Sequence, residues 1–172
     1  NPSLNAIVSK KNDDEIIKQA EKYDLDSLKK KPLAGLPFAS KDLLDVNGFP
    51  TTYGFPGYKN YYPNKNSLIV DRLIDAGAII IGKTNTAELG IGGHTTNRLF
   101  GETSNAYNFS KSSGGSSGGA GAAVAANLCN HISKFFDVRC IGCHRVLVDH
   151  TCPFTFNVAV QLIPAPFRTP KS

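Results

Sequence analysis

The sequence predicts an α/β fold, and three observations support this class. Short apolar runs typical of strands alternate with amphipathic helical segments along residues 1–128. Hydrophobic residues make up 41% and charged residues 19% of the 172 residues, which excludes a disordered chain and a coiled coil. The longest apolar stretches, residues 76–82 and 118–126, are too short to cross a membrane. A chain of this size can bury about 70% of its unfolded surface.

The first predicted helix begins after Asn12, because asparagine caps helix N-termini and three acidic residues follow it at 13–15. Apolar residues then recur at helical spacing over residues 16–23. We expect this helix to end before Pro32, where turn-forming residues follow. Residues 38–46 mix apolar and polar side chains and are predicted to form a strand.

Residues 48–66 are rich in Gly, Pro, Tyr and Asn, which predicts an ordered loop. Ser67 stands where it can cap a helix over residues 68–76, and Gly77 provides the signal that ends it. The apolar, β-branched run 78–81 predicts a strand that is covered on both faces.

The remaining elements of the predicted fold come from small and polar residues. Residues 86–89 begin another helical turn, and Gly, Ser, Thr and Asn dominate a loop over residues 90–119. Residues 119–128 read GAGAAVAANL and predict a helix of small residues. Such a helix can pack very closely against a sheet.

The composition divides the chain near Leu128. Fifteen of the 16 glycines lie between Gly35 and Gly121, whereas all four cysteines and three of the four histidines come after Leu128. No methionine or leader pattern opens the chain, so we expect it to start inside a longer open reading frame. The absence of an export signal favours a cytoplasmic location.

The net charge of +5 does not point to a nucleic acid partner. The tightest basic run is Lys29-Lys30-Lys31, which we interpret as a solvated helix end rather than a nucleic-acid footprint. No partner follows from charge alone.

Two glycine-containing patterns suggest sites that their context opposes. Residues 77–84 match the phosphate-loop pattern G-x4-G-K-[ST], but three of the four middle residues are isoleucines, which favour a strand. We therefore interpret Lys83 as a polar residue at the exit of a strand.

Ser117 is central to a G-x-S-x-G pattern, which in α/β-hydrolases follows a hydrophobic strand, whereas residues 106–114 are polar. An ordered loop leading into a helix N-terminus, suited to an anion or a developing oxyanion, fits better.

The cysteines and histidines near the C-terminus allow several interpretations. Cys140, Cys143 and His144 form the C-x-x-C-H pattern of haem attachment, without a recognisable second axial ligand. A zinc site is a second interpretation, in which Cys140, Cys143 and Cys152 bind the metal together with either His144 or His150. The second pair of ligands, a histidine and Cys152, lacks a spacing known from zinc sites. Incidental thiols are the third.

Three blocks of the sequence, residues 32–42, 77–85 and 114–125, resemble the amidase signature family. The blocks occur in the order found in that family, and the resemblance covers residues 1–128. It implies an amidase-signature type of mixed sheet covered by helices, present here only in part. Residues 129–172 do not match the family, and we interpret them as a tail from a frameshift or a misread exon boundary. Resequencing the gene through codons 125–145 tests this, and an intact frame would contradict it.

The resemblance also implies catalytic residues. The family acts on amides through a Ser–Ser–Lys triad, in which Lys41 matches the lysine and Ser116 matches the bridging serine next to a cis peptide bond. Burial favours the neutral form of a lysine, which can then act as a base. The base draws a proton through the bridging hydroxyl and so activates a second serine for acyl attack. No cofactor or metal is implied. The neighbouring residues that would support this loop and its oxyanion donors are Gly114, Gly115, Ser117 and Gly118.

The second serine of the triad is missing from the expected place. The family has it in a turn of the type Gly-Thr-Asp-x-Gly-Gly-Ser, whereas residues 133–142 here lack the paired glycines and a suitable serine. Cys140 falls near the position of the nucleophile, but Val138 and Arg139 stand where the backbone donors need small residues. Ser133 is no better placed, and Asp137 matches the family's aspartate only by position. We therefore expect this chain to be inactive as it stands.

The sequence thus predicts an amide hydrolase that acts on small carboxylic amides through a serine acyl-enzyme. One alternative is the amidase subunit of a tRNA-dependent amidotransferase, which would need partner subunits. The other is a non-catalytic remnant with a Cys/His metal-binding tail. Because much of the family domain is absent, we expect residues 78–81 to be exposed and the chain to be poorly soluble. The particular amide and the oligomeric state do not follow from the sequence.

Overall fold

A computed structural model describes residues 3–129, apart from the side chains of Leu25 and Leu28. Three strands form a mixed sheet in the order β1-β3-β2: β1 (Ile7–Lys10), β2 (Pro37–Lys41) and β3 (Ile79–Thr84). The central strand β3 runs parallel to β2 and antiparallel to β1. This confirms the predicted α/β class with a mixed sheet.

Four helices accompany the sheet within the described residues. They are α1 (Asp13–Ala20), α2 (Leu25–Lys30), α3 (Leu68–Asp75) and α4 (Gly118–Ala125), with 3-10 turns at Pro56–Tyr58 and Glu88–Gly90. The helical turn predicted from residue 86 is thus present as the second 3-10 turn. None of the helices described in residues 3–129 is long and apolar enough to span a membrane.

The start of α1 confirms the prediction from its capping residues. The Asn12 side chain accepts a hydrogen bond from the Asp14 backbone N–H at 2.8 Å, and acidic residues occupy the first turn. The helical region ends at Lys30, before Pro32 as predicted, but it forms two helices instead of one, because α1 ends at Ala20 and α2 follows as a separate helix. Asp24 caps α2 by accepting from the Ser27 N–H at 2.8 Å, so a second N-cap divides the predicted helix into two.

Helix α3 lies where the sequence predicted it, with one difference at its start. Ser67 occupies the N-cap position, but its side chain makes no capping hydrogen bond. Gly77 ends the helix in the left-handed region, with φ of +99°. A Cβ atom on Gly77 would lie 2.7 Å from the Ala34 Cα, so the close approach of these two segments also requires glycine.

The predicted strand boundaries need correction. The strand predicted over residues 38–46 ends at Lys41, because the chain turns there and the Leu44 N–H donates to the Lys41 carbonyl at 3.0 Å. The strand predicted over 78–81 instead extends through Thr84, where β1 and β2 pair with it on both sides. Strand β1 was not predicted at all.

The expected exposure of residues 78–81 was wrong. All four side chains are buried, with relative exposures between 3% and 8%. Ile80 packs with Phe38, Val70 and Leu73 on one face of the sheet, while Ile79 and Ile81 pack with Ala39 on the other. The described part of the chain therefore has apolar packing on both sides of β3. The predicted poor solubility stays a prediction.

Candidate active site

Lys41 is the last residue of β2, and its side-chain nitrogen reaches the glycine-rich loop before α4. Its Nζ donates a hydrogen bond to the Ser116 Oγ at 2.8 Å, across 75 positions of sequence. Lys41 is 6% exposed, and Ser116 is half-buried. The structure thus brings together the two residues that the family resemblance singled out.

The loop around Ser116 is shaped by its glycines. The peptide bond between Gly115 and Ser116 is cis, and Gly114 has φ of +78°. A Cβ atom on Gly115 would lie 2.7 Å from the backbone of His94, so this position has no room for a side chain. The Thr95 N–H donates to the Gly114 carbonyl at 2.8 Å and fixes the loop against the segment at 94–95.

The backbone carbonyl of Ser116 is held by three donors. The Ala87 N–H and the Thr86 hydroxyl each lie 3.1 Å from this oxygen, and the Thr95 hydroxyl lies at 3.4 Å. Both threonines are fully buried. Neither residue was predicted from the sequence. The available signal was the polar run at 83–86, which directly follows the apolar part of a buried strand.

Helix α4 begins directly after this loop and lies very close to the end of β3. The Gly118 N–H donates to the Thr95 hydroxyl at 2.7 Å. A Cβ atom on Gly118 would clash with the Thr95 and Ser113 side chains, and one on Gly119 would clash with the Asn85 backbone. The predicted close packing of a small-residue helix is confirmed by these contacts.

The four residues predicted to support the loop therefore surround Ser116 on the chain and in space. Gly114 and Gly115 shape its N-terminal side, and Ser117 and Gly118 begin α4 on its C-terminal side. The residues before Gly114 make an isolated bridge between Ser104 and Ser112 rather than a strand. Ser117 thus does not occupy the strand-to-helix turn of an α/β-hydrolase. This agrees with the sequence, in which polar residues precede the motif.

Buried amides support the threonines that hold Ser116. The Asn97 Nδ2 donates to the Asn85 Oδ1 at 2.7 Å and to the Thr86 carbonyl at 2.8 Å. The Asn85 Nδ2 donates in turn to the Thr103 hydroxyl at 2.9 Å. Because these groups are buried and satisfied, they fix the segment that follows β3.

Lys83 has a different environment from the one predicted. It is the penultimate residue of β3, close to the predicted exit of the strand, but it is fully buried. Its Nζ lies 3.2 Å from the Asp42 Oδ1 and donates to the Leu44 carbonyl at 2.8 Å, to the Pro50 carbonyl at 3.3 Å and to the Thr51 hydroxyl at 3.1 Å. Burial lowers the pKa of Lys83, and the Asp42 carboxylate opposes that shift.

The strand at Ile79–Thr84 also shows that residues 77–84 do not form a phosphate loop. The middle residues of the pattern are extended and pair with β1 and β2, so they do not turn around a phosphate group. The rejection of that pattern is confirmed.

Comparison with known proteins agrees with this geometry. Residues 1–131 match the protein family described as Amidase. The chain belongs to the amidase signature family. It is 45% identical over 134 residues to the acylamidase of Rhodococcus erythropolis, which covers 74% of this chain and 27% of the relative. It is 47% identical over 98 residues to a glutamyl-tRNA(Gln) amidotransferase subunit from Prochlorococcus marinus, which covers 57% of this chain and 20% of the relative.

Solved amidase structures share the described fold. The structure of 6-aminohexanoate cyclic dimer hydrolase superposes with a TM-score of 0.67 at 35% identity, over 75% of this chain and 26% of the other. The peptide amidase PAM, in complex with chymostatin, gives a TM-score of 0.65 at 32% identity, over 75% of this chain and 28% of the other. The chain thus spans about a quarter of the length of these relatives.

The amidase match ends at residue 131, close to the predicted boundary at Leu128. The positions considered for the nucleophile, residues 133–142, lie outside the described residues. So do the candidate metal ligands Cys140, Cys143, His144, His150 and Cys152. Within residues 3–129, no three His, Cys, Asp or Glu side chains form a group that could hold a metal ion. Burial raises the pKa of the Cys129 thiol, at the end of the described chain, to about 11.

Proposed function

We propose that this chain carries the lysine and bridging serine of a site that hydrolyses small carboxylic amides through a serine acyl-enzyme. The observation that carries the proposal is the 2.8 Å contact between the Lys41 Nζ and the Ser116 Oγ. This distance is within the reach that proton transfer requires. The contact joins the end of a buried strand to a loop whose backbone is fixed.

A serine hydroxyl suits the bridging role because it can donate one proton and accept another at the same oxygen. With Lys41 as a neutral amine, the Ser116 hydroxyl passes its proton to the Lys41 Nζ and takes one from a nucleophilic serine. The nucleophilic oxygen then attacks the amide carbonyl carbon, and the proton returns through Ser116 to the leaving amine. Water cleaves the resulting ester by the same route. Ser116 is half-buried, so part of its surface stays accessible to a nucleophile.

The position of the nucleophile decides what this chain can do alone. Because no family serine turn is found in residues 133–142, we expect the chain as it stands to bind no amide productively and to turn none over. The hydrolytic function is therefore proposed for Lys41 and Ser116 in a complete amidase domain.

A second candidate is the amidase subunit of a tRNA-dependent amidotransferase. Its support is the 47% identity to the Prochlorococcus marinus protein. That match covers 57% of this chain, against 74% for the acylamidase, so we keep amide hydrolysis as the main proposal.

The test is a hybrid in which residues 1–128 replace the matching part of the Rhodococcus erythropolis acylamidase. We expect the hybrid to hydrolyse a small aryl amide. Lys41→Ala and Ser116→Ala should each lower its kcat by about 10²- to 10⁴-fold, the usual contribution of a positioned acid or base. Lys29→Ala, on an exposed helix end, is the matched lysine control and should leave kcat unchanged.

Labelling with a fluorophosphonate probe separates the hybrid from the chain itself. We expect the hybrid to be labelled in a Lys41-dependent way, and the unmodified chain not to be labelled. Full activity of the Lys41→Ala hybrid would show that this lysine is not the base.

A further inference from the structure

The Ser116 carbonyl oxygen receives more hydrogen bonds than its place in the backbone requires. A peptide oxygen has two lone pairs, which the Ala87 N–H and the Thr86 hydroxyl can fill at 3.1 Å each. The Thr95 hydroxyl adds a third, longer contact at 3.4 Å. Ser116 directly precedes the N-cap residue of α4, and its carbonyl accepts from one backbone N–H and two side-chain hydroxyls rather than within a regular ladder.

The segment that supplies two of these donors also aligns Lys41. Thr84 is the register partner of Lys41 in the β2–β3 pair, and the Thr84 carbonyl accepts from the Asp42 N–H at 3.1 Å. Two residues later, Thr86 and then Ala87 donate to Ser116. The four residues 84–87 thus contact both members of the Lys41–Ser116 pair, and their backbone geometry sets the separation of the two.

Thr86 is built to hold a fixed orientation. Its side chain is β-branched, which restricts rotation about χ1, and it is fully buried. The Asn97 Nδ2 holds the Thr86 carbonyl at 2.8 Å, so the backbone that carries this side chain is itself fixed. Thr95 is equally buried, and its hydroxyl oxygen accepts from the Gly118 N–H at 2.7 Å while its proton faces Ser116.

We propose that Thr86, with Thr95 as a second hydroxyl, is a positioning residue that holds Ser116 within reach of the Lys41 amine. Its catalytic meaning rests on the proposed amide hydrolysis, but the positioning itself is a property of the folded chain and can be measured without turnover. Thr86 acts through the Ser116 backbone and contacts neither Lys41 nor a substrate.

The first measurement is the rate at which the Lys41 amine is acetylated by N-hydroxysuccinimidyl acetate, followed by peptide-resolved mass spectrometry on the full 172-residue chain. Thr86→Val removes one hydroxyl and keeps the branched shape. Releasing Ser116 should expose the Lys41 amine and raise its acetylation rate about fivefold, the factor expected from the loss of one hydrogen bond. Ser116→Ala gives the upper limit, and Thr86→Ser, which keeps the hydroxyl, should restore the original rate.

Thr51→Val is the matched control. Thr51 is fully buried and lies outside the network of residues 85–103; its hydroxyl donates to the Leu44 carbonyl at 3.3 Å and accepts from the Lys83 Nζ at 3.1 Å. This substitution should leave Lys41 acetylation unchanged. Circular dichroism of each variant reports unfolding. A Thr86→Val chain that acetylates Lys41 at the original rate, or no faster than Thr51→Val, would overturn the proposal.

Two further measurements cover the remaining outcomes. If Thr86→Val unfolds, Thr95→Val decides: its Lys41 rate should rise in the same direction, and an unchanged rate would contradict the proposal. In the acylamidase hybrid, Thr86→Val should lower kcat without changing KM, and Thr86→Ser should restore it. A hybrid that is inactive before any substitution would refute the proposed function while the acetylation result on positioning still stands.

Discussion

Two buried lysines occupy neighbouring register positions of the β2–β3 pair, and their surroundings differ. Lys83 pairs with Ser40, and Lys41, the next residue of β2, pairs with Thr84. Because side chains alternate along a strand, the two lysines face opposite sides of the sheet. Lys83 contacts the loop at 42–51, and Lys41 contacts the loop before α4.

The two environments suit different tasks. Lys83 has a carboxylate, two carbonyl oxygens and a hydroxyl around its ammonium group, all of which favour a permanently held cation. The Asp42 carboxylate is held in place as well, since it also accepts hydrogen bonds from the Thr52 N–H and the Thr52 hydroxyl. Lys41 contacts a hydroxyl on a half-buried serine, a partner that can exchange protons. Burial alone therefore does not distinguish the two lysines, whereas the chemistry of their partners does.

The largest expected effect comes from removing the Lys83 ammonium group. Lys83→Met leaves the Asp42 carboxylate buried without its counter-ion, which typically costs about 3–5 kcal/mol of unfolding free energy. Urea unfolding followed by circular dichroism measures the loss. Lys29→Met is the control, because Lys29 forms an exposed ion pair with Asp26 and its loss should change stability by no more than about 0.5 kcal/mol. Equal effects of the two substitutions would contradict a structural role for Lys83.

The second prediction concerns the pH dependence of stability and tests the Lys83–Asp42 ion pair by changing Asp42. Burial lowers the pKa of Lys83 below 10.5, so the folded chain binds this proton less tightly than the unfolded chain does. Stability then rises with pH across the interval between the folded and unfolded values. Asp42→Asn removes the charge that opposes the shift, so the pKa of Lys83 falls further and the rise becomes larger.

The stability lost in Asp42→Asn should therefore be greatest at about pH 7 and smaller at about pH 10. The measurement is the urea midpoint of variant and parent at both values, since other groups titrate in both chains and cancel in the difference. Asp13→Asn, in an exposed pair with Lys10, is the control and should show the same small difference at both pH values. If the stability lost in Asp42→Asn stays constant across this pH interval, the charge of Asp42 does not affect the titration of Lys83, and the prediction is wrong.

The sequence predicted the elements whose signals are local. Asn12 with its acidic turn, Gly77 after α3 and the isoleucines of β3 each indicate their structure within a few residues. The short strand β1 was missed because four residues carry no distinct pattern, and its strand character comes from pairing with β3. The end of the predicted strand at 38–46 was wrong because β2 ends where its pairing with β3 ends, at Lys41 opposite Thr84, and the chain then turns through residues 41–44.

The residues of the candidate site also differ in how far the sequence predicted them. Lys41 and Ser116 were identified by resemblance to a family, and the 75 positions between them prevent any local pattern from showing that they meet. Thr86 and Thr95 were missed because their hydroxyls contact a backbone carbonyl far along the chain, and the polar run at 83–86 indicates only that Thr86 follows a buried strand. The ion pair between Lys83 and Asp42 was missed because it requires the register of β2 on β3.

The smallest expected effect is that of Lys41→Met on stability, and it tests the comparison most directly. Met fills a similar volume and removes the amine that donates to the Ser116 hydroxyl. Ser116 is half-buried, so water can replace the lost donor, and the cost should be about 1 kcal/mol or less. Urea unfolding of Lys41→Met beside Lys83→Met measures the contrast. A loss as large as that of Lys83→Met would make Lys41 a structural cation too. A small loss means that the fold does not require the Lys41 amine, which fits a group kept for proton transfer, since residues retained for activity often contribute little to stability.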